Sequence, residues 1–220
     1  MDVAFHDLGR VPYAAAWALQ RRLHEARAAD AIPDTLLFCE HLPVITMGKS
    51  GKAQNLLVSQ SELERRGIEY FEVERGGDLT YHGPGQLVGY PIFKLARLRE
   101  VQAFVRKMEQ ALIEALARFG IAAERKTEHA GVFVRGAKIA SIGAAVRSGV
   151  TFHGFALDVC TDLSAFAVIN PCGMPLVPVT SMEKELRRSV SLSDAKPAVR
   201  EAMESAFGIH CVESPPQMIA

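Results

Sequence analysis

The chain has 220 residues, 49% of them hydrophobic and 23% charged, with 25 basic side chains balancing 25 acidic ones. This composition is ordinary for a soluble globular protein, and the length suits a single domain over residues 1–220 with a substantial core. A net charge of zero removes any long-range field toward nucleic acid or anionic membrane, and no apolar run approaches the ~20 residues of a membrane span. The opening MDVAFHDLGR lacks a basic stretch followed by an apolar one, so no signal peptide is expected, and a reducing cytoplasm is the expected compartment.

In chain order, Val3 to His6 reads as a first strand. A helix follows from Pro12 to about Ala29, with Ala16, Leu19, Leu23 and Ala26 as its buried stripe. Thr35 to Cys39 and Val44 to Met47 are short apolar runs, read as strands. Ser59 and Glu62 have capping-box spacing, and Gly67 supplies a stop, which predicts a helix over Gln60 to Arg66. Ile68 to Val73 reads as a strand leading into a glycine-rich loop, and Gln86 to Phe93 as the strand leaving it. Val101, Val105, Met108, Leu112, Leu116 and Phe119 share one face of a long helix that Gly120 ends. Gly131 to Arg135, Lys138 to Arg147 and Val150 to Val159 form a meander, joined by hairpins at Gly136-Ala137 and Ser148-Gly149. A last helix spans Ser191 to Phe207 before Gly208. The expected class is α+β, a mostly antiparallel sheet with helices packed on one side.

Three stretches look chemical. The first is RGGDLTYHGPGQLVGYPI, Arg75 to Ile92, with five glycines among large polar and aromatic side chains. It has no Lys-Ser or Lys-Thr after its glycines, so it is not a phosphate loop. Val88 stands where a dinucleotide fingerprint needs a third glycine. The stretch reads either as a rigid turn or as one wall of a pocket. In the pocket reading, backbone N–H groups and His82 hold a polar head, and Tyr81, Tyr90 and the apolar strand residues border an apolar slot. The second is Val168-Ile-Asn-Pro-Cys-Gly-Met174, which puts Cys172 at a turn, with an exposed thiol and free backbone N–H groups nearby. The third is Arg135-Gly-Ala-Lys-Ile-Ala-Ser-Ile-Gly143. By pattern alone, its Lys138 is either an edge-strand solvent lysine or an amine aimed into a pocket. If the two meet, the ammonium favours the thiolate: a free cysteine with pKa near 8.5 needs a drop of about 1.5 units to be half ionised at neutral pH. Cys39, Cys160 and Cys211 read as structural thiols. There is no C-x-x-C or H-E-x-x-H spacing, so no metal is expected.

Taken together, these stretches resemble the octanoyltransferases of lipoate biosynthesis, the lipoate-protein ligase B family. Every fixed position of that family's R-G-G-x-x-T-Y-H-x-x-G-Q-x-x-x-Y is present between Arg75 and Tyr90, and His153-Gly-Phe-Ala-Leu-Asp158 matches its next strand. The resemblance runs from about residue 5 to about residue 210. It departs from the family at Leu42 and Cys160, both away from the proposed chemistry. It implies the fold of the biotin-protein ligase and lipoate ligase catalytic domains. It also implies transfer of an octanoyl group, without cofactor or ATP, from octanoyl-acyl carrier protein to a lysine of a lipoyl domain. Acceptors would be the lipoyl domains of 2-oxoacid dehydrogenase E2 subunits and the glycine cleavage H protein. Carried over by motif, Cys172 takes the acyl group as a thioester, and Lys138 lowers its pKa and moves protons. Arg75, Gly76, Gly77, Asp78, Leu79, Thr80, Tyr81 and His82, with Ser141, Ile142, Gly143, Gly154, Phe155 and Ala156, would line the acyl pocket. Arg135, Arg147, Lys184, Arg187 and Arg188 are candidates for meeting an acidic carrier. Two other readings stay open. An ATP-dependent ligase on the same fold would need no cysteine, and a non-catalytic binding module would tolerate alanine at Cys172.

Overall fold

The computed structural model describes residues 1–97, 100–127, 129–170 and 177–214. Strand β1 (Asp2–Val11) leads into helix α1 (Tyr13–Ala28), then β2 (Thr35–His41) and β3 (Val44–Met47). After a short 3-10 turn at Ala53–Asn55 come α2 (Gln60–Arg65), β4 (Glu69–Glu72), β5 (Leu79–His82) and β6 (Gln86–Ile92). Helix α3 (Val101–Arg118), β7 (Glu124–Arg125), β8 (Gly131–Val134), β9 (Ala137–Arg147) and β10 (Val150–Asp158) follow. Helices α4 (Met182–Leu186) and α5 (Leu192–Phe207) precede β11 (His210–Glu213).

Eight strands form one sheet in the order β11-β1-β2-β6-β10-β9-β8-β7. β1 runs parallel to both its neighbours, and the other pairings are antiparallel. The predicted α+β class and meander are therefore present. The hairpin turns sit at Arg135-Gly136, one residue before the expected pair, and at Ser148-Gly149. All four turn residues have positive φ, from 47 to 84°, as a two-residue type I′ connection requires.

The expectation of helices on one side is corrected. Leu36 and Phe38 of β2, with Leu87 of β6, face α3 and α5, in a core built on Met108, Leu112, Leu116, Val199 and Met203. Leu37 and Cys39, with Val88, Tyr90 and Ile92, face the other way onto Ala16 and Leu23 of α1. The central strands are buried along their whole length. This is why they read as unbroken apolar runs rather than as alternation. On α1 the buried face also holds Tyr13, Gln20 and His24, with Leu19 and Ala26 only partly covered. At α2, Ser59 accepts from the Glu62 N–H as expected. The reciprocal arm of the box is not made, because the Glu62 carboxylate pairs with Arg65 and with Arg66, the latter at 2.6 Å.

A second, three-stranded sheet, β4-β3-β5, lies outside the expected architecture. Its strand β5 is the Leu-Thr-Tyr-His core of the glycine-rich stretch, paired antiparallel to β3 with Thr80 opposite Thr46. The expected loop is thus a strand flanked by two glycine turns. Among the described residues, no helix is long and apolar enough to cross a membrane.

Candidate active site

Sheet register brings the separate stretches together. Gly143 of β9 pairs with Gly154 of β10, Ser141 with Ala156, and Ala156 in turn with Val88 of β6. The Gly76 N–H donates to the Ala144 carbonyl at 3.0 Å, laying the Arg75–Asp78 turn against β9. A side chain at Gly143 would put its Cβ 2.9 Å from the Gly76 oxygen, so this close approach needs glycine.

Arg75 is buried and holds the turn from within. Its Nη2 donates to the Thr46 carbonyl at 2.6 Å and to the Asp78 carbonyl at 2.7 Å, Nε donates to Thr46 Oγ1 at 3.1 Å, and Nη1 to the Gly76 carbonyl at 3.0 Å. The Asp78 carboxylate accepts from the Leu79 N–H at 2.8 Å, the Lys52 N–H at 3.2 Å and the Asn55 amide. The turn is thereby preorganised before any ligand arrives.

Twelve of the fourteen predicted pocket residues border a narrow slot of about 40 Å³: Arg75, Gly76, Gly77, Leu79, Thr80, His82, Ser141, Ile142, Gly143, Gly154, Phe155 and Ala156. Tyr90 borders it too, as expected. Tyr81 does not; strand alternation turns its ring onto Phe166, 5.6 Å away. Asp78 lines the neighbouring cleft instead. Val88, an apolar residue of the expected strand, completes the slot with Tyr13 and His153, and sequence reasoning missed the last two. For Tyr13 no local signal existed, since it arrives on α1. His153 sits at φ 56° within a strand, an uncommon conformation for a residue other than glycine.

His82 stacks on Tyr13, with ring centroids 6.2 Å apart, and its Nδ1 meets Gln86 Oε1 at 2.7 Å. Burial, with His41 nearby, pushes its pKa down to about 3, so the ring is neutral and Nδ1 carries the proton donated to Gln86. The Gln86 amide donates in turn to Asp158 Oδ1 at 2.9 Å. Burial raises Asp158 to about 7, against the pull of that amide and of the charge on Lys138.

Slot and cleft share Gly76, Gly77, Ile142 and Gly143 as a common wall. The cleft, about 570 Å³, is lined also by Lys52, Asn55, Asp78, His129 and Lys138. Lys138 is only 4% exposed, which decides against the solvent-lysine reading. Its N–H donates to the Pro178 carbonyl at 2.8 Å, its carbonyl accepts from the Thr180 N–H at 2.9 Å, and its Nζ lies 5.7 Å from the centre of the Phe133 ring. Cys172 lies outside the described residues. On one side of it, the Asn170 N–H donates to the Asn55 carbonyl at 2.8 Å; on the other, Val179 bridges to Lys138. Of the five surface cations, Arg135 pairs with Glu185, and Arg147, Lys184, Arg187 and Arg188 are exposed. Among the described residues, no group of three or more His, Cys, Asp or Glu side chains gathers as a metal site would.

Fold and site together place a narrow slot beside a cleft that holds a buried amine. Residues 12–204 match the lipoyl protein ligase A/B catalytic domain, and the chain belongs to that family. An octanoyltransferase from Dictyoglomus thermophilum is 45% identical over 199 residues, covering 90% of this chain and 84% of its own length. One from Rubrobacter xylanophilus is 45% identical over 202 residues, covering 91% of each. Among solved structures, lipoate-protein ligase A bound with ATP superposes with a TM-score of 0.80 at 18% identity, over 97% of this chain and 89% of that one. The biotin protein ligase from Aquifex aeolicus gives 0.54 at 10% identity, over 94% and 69%. These likenesses bear out the expected fold.

Proposed function

We propose that this chain is an octanoyltransferase of lipoate biosynthesis, working through an acyl thioester on Cys172 with Lys138 as the proton-transfer partner. The observation that carries the reading is 45% identity with an octanoyltransferase over nine-tenths of the chain. The buried Lys138 at a cleft that shares a wall with an apolar slot supports it. So does the anchoring of the chain at that cleft on both sides of Cys172, through Asn170 to Asn55 and through Val179 to Lys138.

In the first half-reaction, the Cys172 thiolate attacks the carbonyl carbon of octanoyl-acyl carrier protein. The bond to the carrier sulfur breaks, and the departing thiolate takes a proton from the Lys138 ammonium. In the second, the amine of a lipoyl-domain lysine attacks the Cys172 thioester. An amide forms, Cys172 leaves as thiolate, and the amine's surplus proton returns to Lys138. Atoms and charge balance over the cycle, and a thioester-to-amide exchange runs downhill without ATP. The lipoyl-domain acceptors would be those of 2-oxoacid dehydrogenase E2 subunits and the glycine cleavage H protein. A reducing cytoplasm would keep the thiol free.

The acyl chain would lie between Arg75–His82 and the Ser141–Gly143 and Gly154–Ala156 strands, gaining about 0.8 kcal/mol per buried CH₂.

Intact-protein mass after brief incubation with octanoyl-acyl carrier protein, without ATP, tests the proposal. The parent should gain one octanoyl group that hydroxylamine removes, Cys172→Ser should gain none or a stable ester, and Lys138→Ala should label slowly. No adduct on the parent in the absence of ATP would overturn the thioester route.

A further inference from the structure

We infer that Gly131, and the buried Glu109 carboxylate that holds it, are positioning residues for the Lys138 amine; this rests on the reading of Lys138 as the proton-transfer group. Gly131 opens β8 at φ 137°, a conformation that other residues rarely adopt. A Cβ there would fall 2.7 Å from Lys138 Cε and 3.5 Å from its Nζ, and also 2.7 Å from the Ala140 carbonyl oxygen. The lysine stem therefore crosses the bare Cα of Gly131 on its way to the cleft. A methyl group would strain the β8–β9 pair at the Ala140 oxygen and push the flexible lysine tip aside.

Two further features hold this crossing in place. The Gly131 N–H donates to Glu109 Oε1 at 3.1 Å, and Glu109, on α3, has a fully buried side chain whose other oxygen meets Arg106 at 2.7 Å and Arg125 at 3.8 Å. The β8–β9 register also slips beside this point: Val132 pairs with Ala140 but Phe133 with Lys138, leaving Ile139 as the extra residue of a bulge. A bulge re-aims the side chains around it. The Lys138 backbone is meanwhile pinned from the opposite edge by Pro178 and Thr180. The Glu109 carboxylate fixes where β8 starts, the bulge turns Lys138, and the missing Cβ of Gly131 leaves room for its stem.

Three variants test this, each with thermal unfolding as a check on the fold. Gly131→Ala should lower kcat about 10- to 100-fold with KM for the acyl donor within about threefold. It should also move the pH midpoint of Cys172 alkylation by iodoacetamide up by about half a unit or more. Glu109→Asp keeps the charge but draws the acceptor back by one methylene, and should shift the same readouts in the same direction. Glu109→Gln keeps an acceptor for the Gly131 N–H but turns its amide donor toward Arg106, and should lose less than Glu109→Asp. A folded Gly131→Ala or Glu109→Asp with the parent's kcat and alkylation profile would overturn the inference, and so would Glu109→Gln failing as badly as Glu109→Asp. Labelling of Lys138 by an amine-reactive succinimidyl ester, read by peptide mass spectrometry, separates this from failure of the underlying reading. If Gly131→Ala changes the Lys138 labelling rate while the parent forms no Cys172 thioester, the positioning stands and the thiol mechanism falls.

Discussion

Replacing Asp158 by Asn should abolish one component of the protein's pH-dependent stability. Asp158 is 3% exposed and its pKa is raised from 3.8 to about 7, chiefly by burial. Between pH 4 and 7 the folded chain keeps a proton that the unfolded chain has released, so this group makes stability fall as pH rises, by up to about 1.4 kcal/mol per unit. Over the window, the shift amounts to roughly 4 kcal/mol as an upper bound. Asparagine has the same shape, does not titrate, and can still accept from the Gln86 amide that now meets Oδ1 at 2.9 Å. His82 and His41, lowered to about 3 and about 4 by burial, act in the opposite sense and cost stability as pH falls below their unfolded value. Both are present in parent and variant, so they cancel in the difference. Urea unfolding at half-unit steps from pH 4.5 to 8 should show the variant gaining on the parent through pH 7 and then levelling off. A difference that stays flat with pH would refute the claim that burial holds Asp158 protonated.

Three other changes probe the site's scaffold. Arg75→Lys removes the fork that reaches Thr46, Gly76 and Asp78 at once and should cost about 3 kcal/mol, lowering Tm by about 6–12 °C; an unchanged Tm would mean the turn is held by something else. Tyr90→Phe leaves His41 Nε2 without the hydroxyl that donates to it at 2.6 Å, and denaturant unfolding should show a loss of about 1–3 kcal/mol. Gly143→Ala pushes a methyl against the Gly76 oxygen at the wall that slot and cleft share. Its octanoyl transfer, followed by product mass, should fall about 10- to 100-fold.

The reading of the sequence succeeded where the physics is local. Ser148-Gly149 made the expected hairpin, Gly67 and Gly208 ended their helices at φ 66° and 65°, and Met108, Leu112 and Leu116 of the expected α3 stripe are buried, although the stripe is centred one position over, on Phe104, Ala111 and Ala115, and Val101, Val105 and Phe119 are only partly covered. It failed where burial depends on partners distant in sequence. An unalternating run such as Thr35 to Cys39 is compatible with one covered face or two, and only α1 folding back over the sheet settled which. Strand β5 was hidden because four residues flanked by glycines carry no period of their own, and its partner β3 lies more than thirty positions earlier. Two residues of one motif left the slot for different reasons: Asp78 is held in the turn before β5 by Lys52, Asn55 and the Leu79 N–H, and Tyr81 is turned onto Phe166 by strand alternation.

The residues alone determined the chemistry available to this protein: a thiol between a proline and a glycine, an amine among small and apolar residues, and glycines where backbone must come close. A motif preserves residue types and spacings, and those suffice to mark the family. The tertiary structure decided what the spacing of Lys138 left open, namely whether its side chain meets water or a cleft. Pairing with Pro178 and Thr180, the bulge at Ile139 and the missing Cβ of Gly131 turned it inward. The first is a contact across about forty positions that no local pattern encodes, and the other two arise inside the expected β8–β9 hairpin, whose turn was legible in the sequence but whose slipped register was not.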